Sequence, residues 1–268
     1  MTINSKQDNK HDLLKMILLL AGSFMFAFLC GEMVHEIGHY LAHRIYGNTG
    51  AKIILNPFGY SHMEGVQIQS AGIMAVTAAA GPLFNVWMGC LSFMLFRSKI
   101  ATRWLPYILW GPVALIQEGV TFTFGFLTPG GDAQWISQAG VPVFVIAGVG
   151  ILFLCTGLVI IAALLPQIGL RREDGFWRKF MVVFVGMVSL MLLRMFYTVF
   201  VAPAALVENA VPLILSVLLA LVVVLLHSAF TRRIGKKTLR SGVATWSDAY
   251  VAFIMGAGIL VFQIIVLN

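Results

Sequence analysis

Seven stretches of the chain, at 13–42, 72–96, 104–127, 140–165, 177–202, 205–229 and 246–267, are apolar for twenty residues or more and are joined by short polar or basic connections. A hydrocarbon core about 30 Å thick takes about 20 apolar residues per helical span, and within it every backbone N–H and C=O must be satisfied inside the segment. With 59% hydrophobic and 11% charged residues, water cannot be the main solvent of such a chain. The expected fold is an all-α polytopic membrane protein of about seven transmembrane helices, forming a single membrane domain over 1–268.

The net charge of +7 does not indicate nucleic acid. No basic face alternates with aromatic residues, and the Lys and Arg residues cluster between the apolar runs. With the N-terminus placed in the cytoplasm, the inner connections collect all 18 Lys and Arg residues except Arg44, Lys52 and Arg194. This alternation follows the positive-inside rule and puts the C-terminus outside. Arg194, inside the fifth span, requires a carboxylate or a backbone carbonyl as partner. Cys30, Cys90 and Cys155 all fall in apolar runs without CxxC spacing, so free thiols are expected. The first apolar run leads directly into a charged segment and carries Leu29 before Cys30, which reads as a retained span and not a cleaved leader.

That charged segment, HEIGHYLAH, carries the chemistry. His35 and His39 are four residues apart, so on a helix both imidazoles leave one face and can share a metal ion, with Glu36 beside them. Two imidazoles and a carboxylate hold Zn2+ with a position left open for water, for which Glu36 is placed as general base. Chance yields His-Glu-x-x-His in only about three of a thousand chains of this composition, and ionisable residues inside a span are costly unless functional. The third ligand must be a carboxylate in or near a span: Glu32, Glu118, Asp132 or Glu208. Asp132 fits best. It follows Thr128, Pro129, Gly130 and Gly131 at the end of the third span, which runs in the same direction as the first, so both C-terminal ends share a membrane side. Glu118, mid-span, is the second choice; Glu32 reads as a hydrogen-bond partner and His43 as an interfacial histidine.

Between the first two spans, Ala51 to Gly72 places β-prone residues at Ile53 to Leu55 and Val66 to Ile68 around Asn56, Pro57 and Gly59, which predicts a short β-hairpin or loop at the membrane face.

VHEIGHYLAHRIYG, AAGPLFN from Ala79 to Asn85, and TPGGDAQW together resemble the site-2 protease family of intramembrane zinc metalloproteases, in its compact form without a PDZ domain. The matched part runs from about Val34 to Gly140, so a metalloprotease core over 13–140 is followed by additional helices over 141–268. The resemblance implies zinc on His35, His39 and Asp132, base catalysis by Glu36, and a role for Asn85 in positioning substrate or polarising its scissile carbonyl. It also implies a membrane protein or peptide substrate and the plasma membrane of a prokaryote. One departure stands out: the family usually has Asp before glycine, whereas here Gly130 and Gly131 precede Asp132. Family sites open toward the cytosol, while the charge count places this one near the outer face. A non-hydrolytic transporter or scaffold with a retained metal site, and hydrolysis of a lipid or other non-peptide bond, are the competing readings.

Overall fold

The computed structural model describes residues 3–58, 61–67, 70–98, 102–127, 130–171, 173–201, 206–233 and 244–266. It is an all-α polytopic membrane protein with one small sheet. The helices are α1 (Ile3–Ile45), α2 (Ala71–Phe96), α3 (Leu105–Phe124), α4 (Asp132–Gln138), α5 (Val143–Leu164), α6 (Phe176–Val201), α7 (Leu206–Arg233) and α8 (Trp246–Val266); β1 (Lys52–Ile54) and β2 (His62–Glu64) lie between α1 and α2.

Each expected span coincides with a helix, and among the described residues six helices are long and apolar enough to cross a membrane. The exception is α3. Its prolines, Gln117 and Glu118 make it less hydropathic, and it is buried around most of its circumference by α1, α2 and α5. A helix enclosed by other helices needs no lipid-facing apolar surface, so polar side chains are tolerated where neighbours satisfy them. The outer helices show the opposite pattern. Phe144 on α5, Trp87 on α2 and Phe196 on α6 are exposed, as lipid-facing residues are when no lipid is counted.

The main core joins α1, α3, α5, α6, α7 and α8 through residues such as Leu19, Leu109, Ile161, Val182, Val223 and Ala249. Helix α1 is its axis, packing against α2, α3, α6 and α8. Small residues permit the closest approaches: a Cβ on Gly38 of α1 would lie 2.6 Å from the Ala80 carbonyl oxygen of α2. Gln263 Nε2 of α8 donates to the Leu29 carbonyl of α1 at 3.0 Å in a fully buried position.

The hairpin pairs Lys52 with Glu64, Ile53 with Met63 and Ile54 with His62. Its first strand lies within the expected segment, and the second falls at His62–Glu64, ahead of Val66 and Gln67, which are not in a strand; Ile68, like Gly59, lies outside the described residues. Ser61 Oγ accepts from the Asn56 N–H and Asn56 Oδ1 from the Phe58 N–H, which ties the residues after β1 to the start of β2. Cys30, Cys90 and Cys155 are free thiols. Lys99, Arg172, Lys236, Lys237, Arg240, Thr128 and Pro129 lie outside the described residues, as does the side chain of Glu208.

Candidate metal centre

Four-residue spacing on α1 puts the His35 and His39 rings on one face, with their Nε2 atoms 3.0 Å apart. Opposite them, α4 begins at Asp132. Gly130 takes a left-handed conformation at φ 79°. Its N–H donates to Gln134 Oε1 at 2.7 Å and its carbonyl accepts from Trp135 Nε1 at 2.9 Å, so the loop is tied to the helix it precedes. Asp132 is thereby held with Oδ2 3.1 Å from His35 Nε2 and Oδ1 3.2 Å from His39 Nε2.

The far nitrogen of each ring is also engaged. His35 Nδ1 lies 3.0 Å from Glu118 Oε1, and His39 Nδ1 lies 2.7 Å from the Thr77 carbonyl oxygen. A carbonyl oxygen can only accept, so His39 Nδ1 carries the proton and its Nε2 presents a lone pair. The same follows for His35 against an ionised Glu118. Two lone pairs and a carboxylate oxygen then converge, an arrangement that repels itself unless a cation lies between. Zinc bonds of about 2.0–2.1 Å at tetrahedral angles separate ligand atoms by about 3.3 Å; here the two Nε2 atoms are 3.0 Å apart, each has one oxygen of the Asp132 carboxylate at 3.1 or 3.2 Å, and one ligand atom from each residue lies within 4.8 Å of the other two. The residues fit a tetrahedral divalent ion with one face open.

The other expected residues divide. Glu36 is buried, lines the same cavity as His35, His39 and Asp132, and has an Oε2 with no hydrogen-bond partner. Glu118 lies on the Nδ1 side of His35, so it is Asp132 that meets both Nε2 atoms. Asn85 is fully buried and does not line the cavity; its Nδ2 donates to Glu118 Oε1 at 2.6 Å. Glu32 turns from the histidines toward α6, where Arg194 Nη2 reaches its two oxygens at 2.8 and 2.6 Å. Arg194 Nε also donates to the Pro57 carbonyl at 2.8 Å, giving the intramembrane arginine both kinds of expected partner. His43 lines the cavity one turn beyond His39. The Thr77 carbonyl escaped sequence reasoning, because a backbone acceptor leaves no residue-type signal, whereas Gly81, the glycine of AAGPLFN, permits close packing and lies against the His39 ring.

The cavity holds about 1240 Å³ and is largely apolar. Helices α6 and α7 form one wall, through residues such as Leu190, Met191 and Leu215, and the α1–α3 unit with the metal set forms the other. From the hairpin, Ser61, His62 and Met63 reach its edge. No protein-family model, curated protein or solved structure matches the chain.

Proposed function

We propose that this multi-pass membrane protein is an intramembrane zinc metalloprotease that hydrolyses a peptide bond in or beside a membrane-spanning segment of a protein substrate. The observation that carries the reading is the convergence of His35 Nε2, His39 Nε2 and Asp132 within 3.0–3.2 Å of one another, beside a buried Glu36 and open to an apolar cavity. The resemblance of VHEIGHYLAHRIYG, AAGPLFN and TPGGDAQW to the site-2 protease family supports the same chemistry, and with it the plasma membrane of a prokaryote as location.

Zinc held by this set would supply Lewis acidity, polarising the scissile carbonyl and easing deprotonation of water at neutral pH. Glu36 Oε2 takes the proton from the attacking water as the C–O bond forms, and returns it to the leaving nitrogen as the C–N bond breaks. The apolar walls receive the hydrophobic side chains of the substrate, and β2 offers an edge on which an unwound substrate strand can pair. Unwinding is required because helical hydrogen bonds otherwise occupy the substrate carbonyls.

The test is Glu36→Gln in the purified full chain, assayed on a fluorogenic peptide spanning a transmembrane segment, with zinc content measured in parallel. Turnover should vanish while zinc remains at one equivalent. Unchanged function in Glu36→Gln would favour a transporter or scaffold with a structural metal, and release of fatty acid from lipid without peptide cleavage would favour a lipid hydrolase.

A further inference from the structure

Resting on the zinc reading above, we infer that Glu118, Asn85 and Trp110 form a buried positioning chain that orients His35 toward the metal, and that Asn85 acts through this chain without touching substrate.

The direction of the chain follows from donor chemistry. An indole N–H can only donate, and Trp110 Nε1 donates to Asn85 Oδ1 at 3.2 Å. The other end of the carboxamide must therefore be its NH2 group, which donates to Glu118 Oε1 at 2.6 Å. That same oxygen faces His35 Nδ1 at 3.0 Å. With Glu118 accepting, His35 donates from Nδ1 and keeps the Nε2 lone pair for the metal. Every link but the last is fixed by a group with a single possible role.

Burial separates this arrangement from a substrate-binding one. Glu118 and Asn85 are both fully inaccessible, and neither lines the cavity, whereas Gln117, their neighbour on α3, does. A carboxylate wholly buried in the middle of a membrane helix is costly unless it is paired or works on a cation. Glu118 Oε1 faces two partners, Asn85 Nδ2 and His35 Nδ1, while its Oε2 is buried without a hydrogen-bond partner, so the cation held through His35 is what offsets the burial of this carboxylate. The chain also accounts for the buried Glu118 that α3 carries on its path past α1 and α2. Carboxylate partners of ligating histidines typically change metal affinity by 10–100-fold when removed.

The experiment is a zinc competition titration against a calibrated chelator, using the full chain in detergent, with variants Glu118→Gln, Asn85→Ala and their double. Each single change should weaken zinc affinity by about 10–100-fold, and the double should be little worse than Glu118→Gln alone, because both act through one link. Cobalt loaded in place of zinc should show shifted visible bands in both single variants, a signature that loose packing alone does not produce. Ser92→Ala is the packing control: Ser92 Oγ bridges α2 to the Tyr107 carbonyl of α3 at 2.8 Å, on the same helix pair, and its zinc affinity should equal wild type. Wild-type affinity in Glu118→Gln and Asn85→Ala, beside its loss in His35→Ala, would overturn the chain and leave the zinc reading intact. An equal loss in Ser92→Ala would overturn it also. Wild-type affinity in His35→Ala would remove the zinc reading and this inference together.

Discussion

Replacing Gly81 by alanine should empty the metal centre without altering a ligand. A Cβ built on Gly81 falls 2.6 Å from both Cδ2 and Cε1 of the His39 ring and nearer still to Nε2. Non-bonded carbons rest at about 3.5–4.0 Å, so the ring must retreat by roughly 1 Å. It has nowhere to go: its Nδ1 is tied to the Thr77 carbonyl at 2.7 Å, and the neighbouring Gly38 already packs its Cα region against Ala80 and Phe84 of α2. Metal–ligand bonds tolerate only about 0.2 Å of displacement, so a shift of this size removes His39 from the set, and zinc affinity should fall by at least about 100-fold. Helix propensity works in the opposite direction, since alanine is favoured over glycine by about 1 kcal/mol. The metal-free fold should therefore not be weakened by propensity, and the loss is local. The assay is a zinc titration beside thermal unfolding of the metal-free protein. Gly72→Ala, on the same helix with nothing within 4 Å of its added carbon, is the matched control and should bind zinc normally. Wild-type zinc affinity in Gly81→Ala would refute the packing argument.

Three further outcomes are expected. Arg194→Ala leaves the partly buried Glu32 without its cation and the Pro57 carbonyl without its donor, and should destabilise the protein by about 1–3 kcal/mol, read as a lowered unfolding midpoint in detergent; an unchanged midpoint would show the pair to be dispensable. Met63→Pro, at a cavity-lining position of β2, should depress cleavage of a transmembrane substrate while zinc content stays at one equivalent, and undiminished cleavage would remove the strand-pairing step. A single cysteine at Ser98, in a chain freed of Cys30, Cys90 and Cys155, should react with an impermeant maleimide only after the membrane is permeabilised, as the charge distribution requires; labelling from outside would invert the topology.

What the sequence made legible, and what it left hidden, follows from the range of each interaction. Helical spans depend on local apolar length, so each of the seven apolar runs falls on a helix, and among the described residues six of these are long and apolar enough to cross a membrane. The His35 and His39 pair depends only on helical periodicity. Asp132 was reachable because parallel spans end on the same side, a coarse topological inference that needs no contact map. Glu118 drew attention as a mid-span carboxylate, yet which side of the His35 ring it takes depends on the rotation of α3 against α1, a packing quantity absent from any linear pattern. Asn85 shows the same limit more sharply. The motif places it near the site, but only the donor direction set by Trp110 turns its amide toward Glu118 and away from the cavity. The second strand was placed too late because the side-chain hydrogen bond from the Asn56 N–H to Ser61 Oγ, which brings the start of β2 against the end of β1, is a contact that β-propensity does not report.

Zinc K-edge X-ray absorption of the purified full chain tests the centre most directly. The account predicts a first shell of nitrogen and oxygen alone at about 2.0–2.1 Å, with the outer-shell pattern of two imidazoles, reduced to one imidazole or lost with the metal in His39→Ala. Sulfur in the first shell, or an unchanged spectrum in His39→Ala, would contradict it.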